Sequence, residues 1–374
     1  MARQGVQDFE SGAASRPEAA SRGGHSGLFQ VRLLTASQAQ ALVETEGAGL
    51  LWLWEFAGSE AFSSCAKRTS GIAATVAIEP LTELTHEAWV TDDRVERYEV
   101  EGVEIAHAGD LAMLRVVLDE HSLGAEGEHA LARAAFEGYR RLFSTIRLIG
   151  LRSILRLWNF VPSIVAPVRD NRVDELDRER YRQFNIGRHA AFLQFSKRDG
   201  EFVRPAATGV GAAEGPLVID ALVAATPARM VENPRQVPAY AYPRHFGTRA
   251  PAFSRATLRA ARGMQELYLS GTASIVGSDT CHVGDVTKQV LETLRNIQAV
   301  GSAAARLPGG TTFELEDFDY LRVYVKHAED LPEVRRTLNA EIGSAIPTCW
   351  LRQDICRPEL LCEVEGVARV PMPR

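Results

Sequence analysis

Several signatures that would place a chain at once are missing from this one. Its five cysteines (Cys65, Cys281, Cys349, Cys356 and Cys362) are an odd number, with no CxxC pair and no Cys/His spacing that suits a metal. That removes the case for a disulfide framework or a zinc site and predicts reduced thiols in a cytoplasmic protein. No apolar run is long enough to span a bilayer. Residues 1–27 are rich in Ala, Gly and Ser and lack a continuous apolar core, so they read as a disordered tail rather than a secretory signal. An excess of positive charge is lacking too. The formal net charge is -6, which gives a nucleic-acid partner no support, so any anionic ligand must be held by a local arginine cluster. Neither a P-loop nor a GxGxxG run is found.

What is present is ordinary in bulk, with 45% hydrophobic and 24% charged residues. A length of 374 residues exceeds a typical single core and predicts two domains or two fused repeats. Strand patterns run through "LFQVRLL", "GLLWLWEF" and "AATVAIEP", then through the hairpin candidate "YEVEGVEIAHAG" and "LAMLRVVLDE". Helices are predicted over 126–146 and 173–195, with strands at "LRLWNFVP" and "LVIDALVAA". The remainder repeats the order: a bent strand "ELYLSGTASIVG", a helix over 285–304, "YLRVYVKHA", a helix over 331–342, "TCWLRQDI" and "LLCEVEGVA". We read this as an internal duplication in an α+β fold, with sheets packed face to face and helices outside. The expected division is an N-terminal half over 28–225 and a C-terminal half over 226–374. Laying "PLVIDALVAA" over "ELLCEVEGVA" is taken to put Ile219 opposite Glu363, making the first half a scaffold and the second the catalytic one.

Glu363 is the leading candidate for chemistry. It lies between apolar Leu361 and Val364 in a strand that demands burial. A buried carboxyl resists ionisation and can remain a proton donor near neutral pH. In "YRQFNIGR", Tyr181 and Arg188 are seven residues apart and share a helix face. A guanidinium beside a phenol suits a carboxylate, although taken alone the pair reads more readily as an exposed arginine and a core-edge tyrosine. "AYAYPRHFGTRAPAFSRA" sets Arg244, Arg249 and Arg255 among prolines, a glycine and aromatics, predicting a stiff loop that presents positive charge or a plain solvated basic loop. "LSGTASIVG" places Gly271, Ala273 and Ser274 in a strand, where small residues allow close approach by a ligand or another backbone. Cys281 and His282 are adjacent and should point apart on a strand, so a thiol–imidazole pair is not expected. Cys356 could line a pocket with Glu363 or simply pack.

Taken together, "RYRQFNIGR", "NPRQVPAYAYPRHFGTRAPAFSRA", "LSGTASIVG…HVGDVTKQVLETLRN" and "DICRPELLCEVEG" resemble the chorismatase family, in the family's order and over most of the chain from about residue 100. The resemblance implies two fused RidA-like (YjgF-type) halves that mimic part of a trimer. It implies loss of the enolpyruvyl group of chorismate as pyruvate, with no metal or organic cofactor and no nucleic-acid or membrane partner. A monomer is expected, since fusion supplies contacts that separate subunits would otherwise make. Glu363 would be the acid/base that protonates the enolpyruvyl methylene. Tyr181, Arg188, Tyr240, Arg244, Ser274 and Tyr324 would line the site. The family divides by product, and Gly271 in "SGTAS" with Cys356 before "RPELL" resembles the 3-hydroxybenzoate branch rather than the alanine-rich hydrolytic branch that forms a dihydroxycyclohexadienoate. A third branch yields mixed 3- and 4-hydroxybenzoate. Ser278 departs from the histidine expected in "VGHET". An imine deaminase of RidA type and a non-catalytic aromatic-acid binder are the readings of other classes.

Overall fold

A computed structural model describes residues 29–58, 73–123, 129–168, 173–199, 204–213 and 215–372. The tail over 1–27 and Cys65 lie outside them. The second half comprises β12 (Ala228–Val231), β13 (Ala256–Ala261), β14 (Met264–Ala273), the short hairpin β15 (Ile275–Val276) and β16 (Asp279–Thr280), α4 (Val286–Ala304), β17 (Phe318–Val325), α5 (Leu331–Ile342), β18 (Thr348–Arg352) and β19 (Cys362–Pro371). The helix runs of the sequence are found here almost to the residue. Asp285 caps α4 by accepting from the Lys288 amide at 3.0 Å, and a proline opens α5.

Before it come β6 (Glu96–Val100), β7 (Val103–Ala108), β8 (Leu111–Leu118), α2 (Ala130–Leu148), β9 (Ser153–Pro162), α3 (Arg180–Asp199), β10 (Ala206–Ala212) and β11 (Leu217–Ala224). Their sheet order is β6-β7-β8-β11-β9-β10, and that of the second half is β12-β13-β14-β19-β17-β18. The two sequences of strands coincide position by position, including one parallel pair in each, β9 with β10 and β17 with β18. The expected duplication is therefore written in the topology. Residues 29–91 add a shortened version: β1 (Phe29–Leu34), α1 (Ala36–Glu46), β2 (Leu50–Phe56), β3 (Ala73–Val76), β4 (Glu79–Pro80) and β5 (His86–Thr91). Its sheet order β1-β5-β2-β3 repeats β14-β19-β17-β18, again with one parallel pair, β2 with β3. β4 leaves this sheet and extends the third one through β18.

The inner faces of the three sheets meet in one apolar cluster that contains Trp54, Trp89, Trp158, Tyr268 and Tyr320, while helices cover the outer faces in separate clusters. Polar groups cross that centre in a cycle. Trp54 Nε1 of the first unit donates to Asp220 of the second at 2.8 Å. Trp158 Nε1 of the second donates to Glu365 of the third at 2.9 Å. Arg322 Nε of the third donates to Glu87 of the first at 3.0 Å. Each donor is also the strand partner of its own unit's carboxyl: Trp54 with Glu87, Trp158 with Asp220 and Arg322 with Glu365. Three units thus close around a pseudo-threefold axis.

That equivalence corrects one register. Asp220 answers to Glu365, so Val218, two residues earlier, answers to Glu363. Ile219 instead faces the helices of its own unit, beside Gly138. A slip of one residue sends a strand side chain to the opposite face, and the polar match of Asp220 with Glu365 is what fixes the true alignment.

Candidate functional site

β10 docks the second unit onto the third, and its composition explains how. "AATGVGA" has almost no side-chain bulk, so backbone groups reach directly across: the Ala206 amide to Thr257 Oγ1 at 2.7 Å, Ala207 to Ser270 Oγ at 2.9 Å, and Gly211 to the Asp354 carbonyl at 2.9 Å. Beside this seam lies a cavity of about 280 Å³. Tyr181 and Arg182 of α3 form one wall, the 236–255 loop a second, and β14 with residues 356–359 and Glu363 a third. A second cavity of about 320 Å³, near Arg335 and Trp350, is larger but has no buried carboxyl on its wall. Chemistry, not size, distinguishes the first.

Glu363 is 4% exposed and sits between Ala273 and Tyr324 in the sheet. Burial pushes its carboxyl up to about 8, helped by the negative charge of Glu365 and opposed by Arg156 and Arg255. It is therefore a neutral acid at pH 7. Glu365 lies two residues on, on the same face, and is held by Trp158, by Arg156 at 2.5 Å and by Arg322 at 3.0 Å. Thr208 Oγ1 bonds Glu365 and accepts from the Gly271 amide, the latter at 3.0 Å. One carboxyl is thus committed to structure and its neighbour is left free for the cavity.

Gly271 follows from that arrangement. A Cβ at this position would lie 2.0 Å from Glu363 Oε1 and 3.0 Å from Thr208 Oγ1. Glycine is required here for space, at a bulge between β14 and β19. Gly271→Ala must swing the Glu363 carboxyl aside. We expect kcat to fall about tenfold or more, with an altered product ratio and a little-changed unfolding midpoint, read by chromatography and denaturant titration. Retention of full kcat would mean that the carboxyl has room the geometry does not show.

Of the other residues singled out in the sequence, Tyr181 and Cys356 line the cavity with Glu363 and Gly271. Burial pushes the Tyr181 phenol up and the Cys356 thiol up to about 12, so both are protonated at neutral pH and Cys356 is no thiolate nucleophile. The rest stand elsewhere. Arg188 is 1% exposed, bonded to Asn185 at 2.6 Å and clasped between Phe184 and Phe253, so the shared helix face leads into packing behind the wall. Tyr240 lies under the Arg204 guanidinium, 4.2 Å from it, and Arg244 is exposed on its turn. Ser274 donates to the Cys281 carbonyl at 2.9 Å and closes the β15–β16 hairpin. Tyr324 points to the central cluster, 3.4 Å from Glu365, rather than to the cavity. His282, in a left-handed turn, is 3.6 Å from Glu292 and makes no pair with Cys281.

The positive charge on the cavity wall comes instead from Arg182, Arg255 and Arg357. Arg255 Nη2 donates to the Val237 carbonyl at 3.0 Å and to Tyr242 at 2.8 Å. Arg357 stacks on Phe246, 4.2 Å from its centre, and ties down the hairpin through the Ser278 carbonyl at 2.8 Å. That contact uses the backbone of Ser278, so the absent histidine does not affect it. Arg357 carried no distinguishing signal beyond its place after Cys356, and Arg182 was hidden beside Tyr181 in a run where every second or third residue is charged or polar. Among the described residues no group of His, Cys, Asp or Glu is placed to hold a metal, and no helix is long and apolar enough to cross a membrane.

Residues 87–223 match the family model described as chorismatase FkbO/Hyg5-like, N-terminal. A 3-hydroxybenzoate synthase from Streptomyces hygroscopicus is 35% identical over 297 residues, covering 78% of this chain and 83% of that protein. A chorismatase from Streptomyces rapamycinicus is 37% identical over 246 residues, covering 64% of this chain and 71% of its own length. A crystal structure of a chorismatase superposes with a TM-score of 0.75 at 29% identity, covering 91% of this chain and 98% of the other. With a three-unit fold, a neutral buried acid and arginines converging on one cavity, the chain belongs to the chorismatase family.

Proposed function

We propose that this enzyme converts chorismate to 3-hydroxybenzoate and pyruvate in the cavity beneath Glu363, acting as a cytoplasmic monomer. The observation that carries the reading is a carboxyl raised to about 8 on the wall of a cavity that also presents Arg182, Arg255 and Arg357. An enol ether is a weak carbon base and needs a positioned acid, and a dianion needs fixed cations. Glu363 gives its proton to the enolpyruvyl methylene, making a methyl group and an oxocarbenium centre. The bond from ring C3 to the ether oxygen breaks, its electrons going to that oxygen, and pyruvate leaves. The ring 4-hydroxyl oxygen bonds C3 and gives up its proton, which restores the acid. The resulting arene oxide opens at its C4–O bond; the oxygen left on C3 takes up a proton as C3 loses one, and the ring aromatises. The atoms of chorismate equal those of the two products, so neither water nor an oxidant enters the balance. Gly271 and Cys356, both on the wall, support this product over the hydrolytic one.

Incubating the purified protein with chorismate and resolving the products by chromatography tests it. Pyruvate with 3-hydroxybenzoate is expected. Pyruvate with a dihydroxycyclohexadienoate would reassign the branch, and the absence of both products would overturn the reading. The kcat should decline as pH rises through about 8, where Glu363 loses its proton.

A further inference from the structure

Glu232 follows directly on β12, and the proposed reaction gives it no task. β12 pairs antiparallel with β13, Val231 opposite Ala256. Glu232 and Arg255 each lie one residue past the end of that ladder, and the Arg255 charge acts on the Glu232 carboxyl. Arg255 is 5% exposed and lines the cavity. Its Nη2 is used by Val237 and Tyr242, but its Nε is sealed from solvent without a hydrogen-bond partner among the described residues. Both carboxyl oxygens of Glu232 are sealed and unpartnered in the same way. A half-buried acid with sealed oxygens thus lies within electrostatic reach of a guanidinium that also lines the cavity. The charged and titratable groups around Glu232 are Arg255 on the neighbouring strand, Arg204 ahead of β10, and Tyr240 in the following loop. The Arg204 guanidinium stacks on the Tyr240 ring, whereas Arg255 is the one of the two that also lines the cavity. Burial pushes the Glu232 carboxyl up to about 7, with both arginines pulling it back.

We propose that Glu232 sets how strongly Arg255 holds a carboxylate in the cavity. As the neutral acid it leaves the guanidinium charge to the ligand. As the carboxylate it competes for that charge. Binding an anion near pH 7 therefore draws a fraction of a proton from solvent onto Glu232, because ligand and proton each favour the state the other prefers. Glu232 is a positioning residue acting through Arg255 and touches no reacting atom. The inference rests on the reading that the cavity takes an anionic substrate.

The test measures KM and kcat for chorismate between pH 6 and 9 in the native enzyme and in Glu232→Gln. In the native enzyme KM should rise about fivefold or more through pH 7. In Glu232→Gln it should stay level until Glu363 titrates near 8, and the difference between the proteins should fall in KM far more than in kcat. The same KM slope in both would overturn the proposal. Calorimetry with benzoate, a simple carboxylate probe, separates this from the choice of substrate. In Glu363→Gln, where that second carboxyl no longer titrates, benzoate affinity should drop about fivefold with a midpoint near pH 7 and take up protons. Glu232→Gln should show no such midpoint. A flat profile in Glu363→Gln, or no benzoate binding at pH 6, sinks the proposal. If native enzyme fails to turn over chorismate yet shows the benzoate linkage, the substrate falls and the role of Glu232 stands.

Discussion

Glu363→Gln is expected to cut kcat by about 10²–10⁴-fold and, in the same protein, to raise stability at alkaline pH. The two effects have one cause. The amide keeps the size of the carboxyl and fits the space that Gly271 leaves, but it has no acidic proton to give the methylene carbon. For stability, the folded state holds this carboxyl at about 8 against an ordinary value of 4.5. A group raised on folding favours the folded state fully below its unfolded value, and that advantage is lost as pH climbs through 8. Native protein therefore weakens progressively from about pH 4.5 to about 8 and is level above that, by at most roughly 5 kcal/mol in all if the whole rise is expressed. Glutamine does not titrate, so the variant escapes the loss. Denaturant midpoints at pH 5 and 9 for both proteins should fall further in the native protein than in the variant, with most of the difference accrued by pH 8. Equal pH slopes would show that Glu363 is solvated, and retained turnover would remove it from the chemistry.

Glu363 was legible because it breaks a local rule: a carboxyl in a strand that wants burial stands out against Leu361, Val364 and the residues that follow. The long helices were legible for the converse reason, since Leu131, Ala135, Tyr139 and Leu142 repeat on a helical period and are all buried. Strand β10 was not, because "AATGVGA" lacks the branched and aromatic residues that announce a strand. Its small side chains serve docking between units, a tertiary demand that leaves no local period. The arginines were half legible. Their clustering in the 240–255 loop points to anion recognition, but only the folded loop shows that Arg255 turns inward while Arg244 stays in solvent. Arg188 teaches the opposite lesson. A shared helix face with Tyr181 says which way a side chain leaves the helix, not whether a cavity or Phe253 waits there. The shortened first unit escaped notice because its described residues, from Phe29 on, show a single strand before the helix and none of the meander that opens each later unit, so no repeat length links it to them.

Arg322→Leu should destabilise the fold by about 3–5 kcal/mol, the largest loss expected from a residue outside the cavity. Arg322 is 0% exposed and joins two units, through Glu87 of the first and Glu365 of the third. Leucine removes the guanidinium and leaves both carboxyls in the apolar cluster, one held by Trp89 at 2.8 Å and the other by Trp158 and Arg156. Glu87 loses more, because Trp89 alone then satisfies it, and an uncompensated buried carboxyl costs more than the ion pair ever contributed. The cycle makes a sharper claim than burial alone. If Glu87 is the group left stranded, Glu87→Gln should be costly by itself yet recover part of the loss when combined with Arg322→Leu, a coupling of about 1 kcal/mol or more in a double-mutant cycle. A third comparison separates stability from catalysis. Arg322 reaches Glu363 only through Glu365, so at a pH and temperature where Arg322→Leu is still folded its kcat should fall far less than that of Glu363→Gln. Additive losses would mean that the arginine stabilises by packing its stem against Trp54 and Phe56, whose rings lie 5.0 and 5.1 Å from its charge, and that the three units are held by apolar contact rather than by the polar cycle through their centre.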